Sequence, residues 1–237
     1  MKYLSLLLLP FLLLGVFAFQ QPSTAPAASP PVVLELFTSQ GCSSCPPADA
    51  LLASYADRED VIALSFHVDY WDYLGWKDPF SSPHFSARQT DYTEQFGART
   101  YTPQLVVNGR KELIGSRKTE VKQAVAEALR AEARFTPELT TKTENGTVTV
   151  SYKLAGATTG HRVTALLVQP QADSAVKRGE NRGRDLHHVN VVRAMEHAPA
   201  AATGELTLTI PKAGNQWEVV LLVQNEETQA IVGAGKA

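Results

Sequence analysis

The sequence predicts an α/β domain followed by an all-β, antiparallel, sandwich-like domain. In the first domain, residues 32–133, short apolar runs alternate with helical periodicity, which is typical of strands joined by crossover helices. In the second, residues 134–237, strand-like runs of two-residue alternation predominate, which is typical of half-buried strands. Residues 1–31 carry an apolar stretch and then a Pro/Ala/Ser-rich stretch, and neither has the pattern of a folded core.

The first residues have the composition of a secretory signal peptide. Lys2 precedes an apolar stretch over residues 4–19, and Val16-Phe17-Ala18 offers a cleavage site after Ala18. The alternative is an uncleaved anchor, for which the stretch is near the lower limit of spanning length. We expect residues 1–18 to be removed and residues 19–31 to be a linker. The mature protein is then periplasmic or secreted, with no stable membrane span.

Charge and cysteine content exclude several classes of protein. The chain has 22 Lys and Arg against 24 Asp and Glu, a formal net charge of -2 that gives no electrostatic case for nucleic-acid binding. Its two cysteines exclude a disulfide-scaffolded mini-protein and an all-cysteine zinc site. We expect no cofactor.

Local patterns predict each element of the first domain in the order β-α-β-α-β-β-α. Apolar and β-branched runs predict strands at Val32–Phe37, Val61–Val68, Gln104–Asn108 and Lys111–Ile114. Helical spacing of apolar residues predicts helices from about Pro47, from Pro83 to the residue before Gly97, and over residues 118–133. Ser82 suits the N-cap of the middle helix, and Asn108-Gly109 suits a tight hairpin turn.

Six strand-like runs and no long helix are predicted in the second domain. The runs are Thr147–Leu154, Val163–Val168, His188–Ala194, Glu205–Ile210, Glu218–Gln224 and Ala230–Val232. Asn145-Gly146 is a further hairpin signal. Short strands separated by turns favour an antiparallel sandwich.

The two cysteines form a Cys-x-x-Cys motif, Cys42 to Cys45, at or just before a predicted helix. A helix N-terminus favours a thiolate, so Cys42 is the candidate nucleophile and Cys45 the candidate resolving residue for thiol–disulfide exchange with a protein or small-molecule partner. A stapling disulfide is the alternative, although so short a loop constrains little of the unfolded chain. A copper-binding site made by Cys42, Cys45 and His67, or a partner-binding module without turnover, is another. Pro46 and Pro47 disfavour a helix that starts at Cys42.

Four segments carry a resemblance to a known family. They are ELFTSQGCSSCPPAD, HVDYWDYLGWKDPF, YTPQLVVNG and GENRGRDLHHVNVVR, and together they resemble the secreted bacterial family called domain of unknown function 1223. The resemblance implies export and a thioredoxin-like fold, whose element order the first domain shares, but no activity. It also implies that Pro103 is a cis-proline that shapes the substrate groove beside the cysteines.

Three further features have both a functional and a structural interpretation. Glu35, seven residues before Cys42, is either a buried proton shuttle for Cys45 or a solvated side chain. The aromatic residues of the segment 70–80 form either a wall beside the cysteines or local core. The basic residues of the segment 177–184 form either an anion or partner site or a charged loop; they are Lys177, Arg178, Arg182 and Arg184.

Overall fold

The computed structural model of the protein describes residues 31–131, 135–212, 214 and 216–237. The predicted signal peptide lies outside these residues, as do all but the last residue of the predicted linker and the predicted domain boundary between residues 133 and 134. These assignments stay predictions. In the part of the chain described here, no helix is both long enough and apolar enough to span a membrane.

The elements of the first half confirm the predicted order. They are β1 (Val32–Thr38), α1 (Pro46–Ala53), β2 (Val61–His67), α2 (Pro83–Phe96), β3 (Gln104–Val107), β4 (Lys111–Ile114) and α3 (Lys118–Ala128). The N-cap of α2 is Ser82, whose hydroxyl accepts a hydrogen bond from the His84 N–H, and Gly97 ends the helix at φ 61°. A single turn of 3-10 helix covers Asp72–Leu74.

Strands make up the described elements of the second half. They are β5 (Glu138–Glu144), β6 (Thr147–Lys153), β7 (His161–Ala175), β8 (Asp185–Pro199), β9 (Thr203–Thr209), β10 (Glu218–Asn225) and β11 (Ile231–Lys236). The predicted Asn-Gly turns are confirmed, because Asn108, Gly109, Asn145 and Gly146 all have positive φ, as the tight turn of a twisted hairpin requires. Strand β5 is absent from the predicted runs, and β7 and β8 are much longer than predicted.

The predicted fold class, a thioredoxin-like α/β domain followed by a separate all-β sandwich, is wrong. Strands of both halves share one mixed sheet of eight strands in the order β11-β10-β7-β8-β2-β1-β3-β4. The two halves join where β2 pairs in parallel with β8, at Ser65 and Val191. A three-stranded sheet, β5-β6-β9, is separate. Alternation of apolar and polar residues predicts which face of a strand is buried but not which strand lies beside it, so the pairing of β2 with β8 could not be predicted from this pattern.

The eight-stranded sheet is covered on both faces. Helix α2 packs on one face through Phe85 and Tyr92. On the other, α1 and α3 cover β1 and β3, and the three-stranded sheet covers β7 and β10. The loops after β1 and β2 and the loop between β7 and β8 meet near the junction of the two halves, which is where the cysteines lie.

Candidate functional site

The two cysteines form a disulfide in a tight turn between β1 and α1. Cys42 is 1% exposed and Cys45 is fully buried, whereas the intervening Ser43 and Ser44 are exposed. Helix α1 begins at Pro46 with Cys45 as its N-cap, as the two prolines predict. We call residues 39–45 the cysteine turn.

The start of α1 offers Cys42 little electrostatic help. Pro46 and Pro47 have no N–H, and the N–H groups of Ala48 and Asp49 both donate to the Cys45 carbonyl, at 2.8 and 3.1 Å. Cys42 lies three residues before the N-cap, so the helix dipole acts on it from a distance. Its Sγ atom has a nearer polar neighbour in the Ser44 hydroxyl oxygen, 3.4 Å away.

The loop between β7 and β8, residues 176–184, covers the cysteine turn, and we call it the capping loop. The Asn181 side-chain amide is fully buried and donates to the carbonyl oxygens of Gln40 and Cys42, both at 2.9 Å. The Glu180 carboxylate accepts a hydrogen bond from the Ser43 N–H at 3.1 Å. Polar contacts therefore hold this loop over the disulfide.

Trp71 connects the cysteine turn to the segment that carries Pro103. Its indole N–H donates to the Thr102 hydroxyl at 2.9 Å. On the other side it packs against Gly41, where an added Cβ would lie 2.9 Å from the Trp71 Cβ. The Thr102–Pro103 peptide bond is cis, and Pro103 is buried just before β3. One aromatic side chain thus fixes the spacing between these two segments.

Asp49 is a buried carboxyl group one helical turn after Cys45. Residues at i and i+4 share a helix face, so Asp49 lies on the same side of α1 as Cys45. It is 7% exposed, and its Oδ1 has no hydrogen-bond partner among the described residues. Burial raises the pKa of Asp49 from 3.8 to about 6, against the opposing charge of His67 and a contact with the Thr38 hydroxyl.

Next to Asp49 lies a buried ion pair between His67, the last residue of β2, and Asp78. The His67 Nδ1 and Asp78 Oδ2 atoms are 2.7 Å apart, and both side chains are fully buried. Burial disfavours both charges, but the pairing outweighs it, raising the pKa of His67 and lowering that of Asp78. The His67 Nε2 atom has no partner in the described chain.

His188 completes this group, and its tautomer follows from its neighbours. The Trp76 N–H donates to Gln40 Oε1 at 2.9 Å, so the Gln40 amide nitrogen faces His188 Nε2, 3.4 Å away. His188 therefore accepts at Nε2 and carries its proton on Nδ1, which faces Asp49 Oδ2 at 3.9 Å. Burial and the charge of His67 lower the pKa of His188 to about 3. We call Asp49, His67, Asp78 and His188 the acid–base cluster.

Glu35 is buried, but its carboxylate is already occupied. Arg88 on α2 donates to it at 2.6 Å, and the Tyr92 hydroxyl donates to its other oxygen. Its neighbours on β1, Val33 and Phe37, pack towards α2, while α1 covers the opposite face of the sheet. Glu35 therefore lies on the opposite side of the sheet from α1, whereas Asp49 belongs to α1, the helix that Cys45 caps.

The remaining predicted features are partly brought together. Within the described ranges, no set of three or more His, Cys, Asp or Glu side chains is placed to hold a metal ion, and the two sulfurs of the copper alternative are bonded to each other. Trp71 and Trp76 pack beside the cysteine turn, whereas Tyr73 is 77% exposed. The basic side chains of the predicted cluster are exposed on or beside the capping loop.

Sequence reasoning missed most of the acid–base cluster. Asp49 had a local signal, because it lies on the inward helical face with Cys45 and Leu52. His188 begins a predicted strand and is buried, whereas the adjacent His187 is exposed, as expected of neighbouring residues on a strand. Asp78 and Asn181 had no local signal, since each meets its partners through contacts between distant segments.

Together, the fold and the site define a mixed α/β protein with a loop-covered disulfide beside buried ionisable side chains. The chain belongs to the family described as protein of unknown function DUF1223, whose model matches residues 33–224. A crystal structure of a protein from Agrobacterium tumefaciens is similar at 28% identity and a TM-score of 0.66, over 86% of this chain and 92% of that one.

HBP35 of Porphyromonas gingivalis shares the fold at 16% identity and a TM-score of 0.60, over 88% of this chain and 75% of that one. No curated protein has significant similarity to the chain.

Proposed function

We propose that the protein carries out thiol–disulfide exchange at Cys42 and Cys45. The observation that carries the proposal is the position of Asp49, a buried carboxyl with an unpaired oxygen, one helical turn beyond a disulfide that closes a minimal loop. A disulfide across so few residues adds little stability. Burial of a carboxyl has a desolvation cost, which the neighbours of Asp49 offset only in part, so another reason for its presence is needed.

The exchange begins when a partner thiolate attacks the Cys42 sulfur. A mixed disulfide forms, the Cys42–Cys45 bond breaks, and Cys45 leaves as a thiolate that takes up a proton. A second thiolate of the partner then attacks the partner sulfur that is bonded to Cys42, and Cys42 leaves as a thiolate. The partner becomes a disulfide, the protein becomes a dithiol, and the reverse sequence oxidises the protein. Pro103 is assigned to the surface that receives the partner, as the family resemblance implies.

Asp49 holds the proton that Cys45 takes up or releases. A carboxyl whose pKa is raised to about 6 exchanges protons near neutral pH, where an exposed one does not. The ion pair of His67 and Asp78 keeps a positive charge near Asp49 and limits the rise of its pKa. We assign this role to Asp49 in place of Glu35, whose carboxylate is paired with Arg88.

The test is the reduction potential of the metal-free mature protein, measured by equilibration in glutathione buffers. We expect a potential between about -270 and -120 mV, the span from thioredoxin to strongly oxidising proteins. Cys42→Ser is expected to abolish exchange, and Cys45→Ser to accumulate a mixed disulfide with the partner thiol. Ser43→Ala is the matched control in the same turn. A pair that stays oxidised throughout, or unchanged turnover in either cysteine variant, contradicts the proposal.

A partner-binding module without turnover is the second candidate. The observation that favours it is the burial of both cysteines beneath the capping loop. In that case the disulfide is structural, with a potential below about -300 mV. The same titration separates the candidates, and Cu(I) titration of the reduced protein tests the copper variant of this candidate.

We also propose that the protein is exported. The apolar stretch of residues 4–19 after Lys2 supports this, and so does the disulfide, which persists in oxidising compartments. Fractionation of the source cells is expected to recover a chain that begins at Phe19. A full-length chain in the cytoplasmic fraction contradicts the proposal.

A further inference from the structure

Four exposed cations lie on the capping loop without a carboxylate partner. Among the described residues, none of Lys177, Arg178, Arg182 and Arg184 forms a side-chain hydrogen bond or an ion pair. Some surface cations elsewhere are paired, for example Arg58 with Asp60 and Lys111 with Glu127, and others, such as Lys77 and Arg99, are not. The capping loop differs because its four cations all lie within residues 177–184. The loop that covers the disulfide therefore carries a cluster of cations in a chain whose net charge is -2.

Glu180 within the capping loop and Asp185 directly after it offset two of the four positive charges and leave an excess of positive charge. Glu180 accepts the hydrogen bond of the Ser43 N–H and so holds the loop on the cysteine turn. Asn181, beside it, is fully buried against the same turn. The loop thus has an inner side that contacts the cysteines and an outer side that presents cations.

An exposed aromatic residue belongs to the segment that contacts the capping loop. Tyr73 is 77% exposed and belongs to the 3-10 turn after β2. That segment contacts the capping loop, since an added Cβ on Gly179 would lie 3.4 Å from the Trp76 Cβ and 3.8 Å from the Leu74 carbonyl oxygen. Tyrosine and arginine together are enriched at the centres of protein interfaces.

We propose that the capping loop and Tyr73 form a docking surface for an acidic polypeptide segment of the exchange partner. This inference rests on the proposed function and names the class of its partner. A small-molecule anion site is concave and uses a few buried polar groups. Here every cation is exposed, and they are spread along a loop, which matches an extended chain that carries several carboxylates.

Binding of synthetic peptides to the oxidised protein tests the surface. The probe is a fluorescent peptide of alternating Glu and Ser with one central Tyr, and its Gln and Lys counterparts are the controls. We expect only the Glu peptide to bind, and to bind several-fold more weakly when the salt concentration rises from 50 to 200 mM. Arg178→Glu with Arg182→Glu is expected to weaken binding at least tenfold. Tyr73→Ala is expected to weaken it about threefold at unchanged salt dependence.

A matched control separates local from overall charge. Lys118→Glu with Lys122→Glu on α3 changes the net charge by the same amount and is expected to alter binding less than twofold. Equal loss of peptide binding in both double variants contradicts the proposed docking surface. So does binding of the Gln peptide with the same affinity, or full displacement of the Glu peptide by citrate at an equal concentration.

Failure of this inference is distinguishable from failure of the proposed function. Docking is measured on the oxidised protein and on a Cys42→Ser/Cys45→Ser variant, neither of which turns over in the assay. Exchange is measured in parallel with dithiothreitol, which carries no charge to dock. Exchange without docking overturns only the partner class. Docking without exchange supports the docking surface and overturns the exchange function.

Discussion

Replacement of Asp49 by Asn is predicted to change how the stability of the protein depends on pH. Burial raises the pKa of this carboxyl from 3.8 to about 6, so the folded state holds the proton more tightly than the unfolded chain does. Between these two values the folded state binds more protons, and the wild-type protein therefore loses stability as the pH rises. Asn has nearly the same shape and does not ionise, so the variant escapes this loss.

The magnitude follows from the size of the shift. A rise of roughly two pKa units corresponds to about 3 kcal/mol, since each unit corresponds to about 1.4 kcal/mol. Relative to its value at pH 4, the free energy of unfolding of Asp49→Asn minus that of the wild type is expected to increase by up to about 3 kcal/mol at pH 8. Most of the increase falls between pH 4 and 6, at about 1.4 kcal/mol per unit.

Urea unfolding at fixed ionic strength, followed by tryptophan fluorescence with the disulfide intact, measures this difference. The titrations of Asp78 and His188 are present in both proteins, whereas loss of the Asp49 charge also lowers the pKa of His67, and this change is part of the measured difference. Asp57→Asn, an exposed carboxylate just after α1, gives the baseline for losing a surface charge. A difference between Asp49→Asn and the wild type that stays constant from pH 4 to 8 refutes the reasoning.

Three more changes have expected outcomes. Glu35→Gln leaves the buried Arg88 without its countercharge and is expected to lower the free energy of unfolding in urea by about 3 to 5 kcal/mol. Thiol–disulfide exchange by the folded variant is expected to be unchanged, and slowed exchange would instead support a proton role for Glu35. Asn181→Ala removes two hydrogen bonds to the cysteine turn and is expected to speed reduction by dithiothreitol about tenfold, and an unchanged rate would contradict this. Gly41→Ala places a Cβ 2.9 Å from the Trp71 Cβ and is expected to lower stability by about 1 to 3 kcal/mol, which a thermal melt at the wild-type Tm would exclude.

Local chemistry predicted the elements well where one residue type sets the backbone. The Asn108-Gly109 turn and the β4 strand lie where the sequence places them. The start of α2 after Ser82 follows from the same kind of signal. These features depend on dihedral preferences and caps within a few residues, which a sequence displays directly.

Pairing between distant strands was not predictable in the same way, but β7 held an unused signal. Val163, Ala165 and Leu167 pack towards the three-stranded sheet, while Leu166 and Val168 pack towards α2. A strand that is apolar on both faces belongs at the centre of a covered sheet and not on one side of a two-layer sandwich. Applied to this run, that rule favours the single large sheet that the structure has.

The capping loop covers the disulfide mainly through hydrogen bonds and not as a hydrophobic core does, and this affects how accessible the cysteine pair is. The capping loop is held to the cysteine turn by two hydrogen bonds of Asn181 and one of Glu180. Each contributes about 0.5 to 1.5 kcal/mol net, so breaking the three costs about 2 to 4 kcal/mol. At equilibrium the capping loop is then open in about one molecule in 30 to one in 1,000, which slows access to Cys42 without preventing it. A partner that draws the outer cations away from the turn favours the open state, so docking and access to the disulfide are coupled through the same loop.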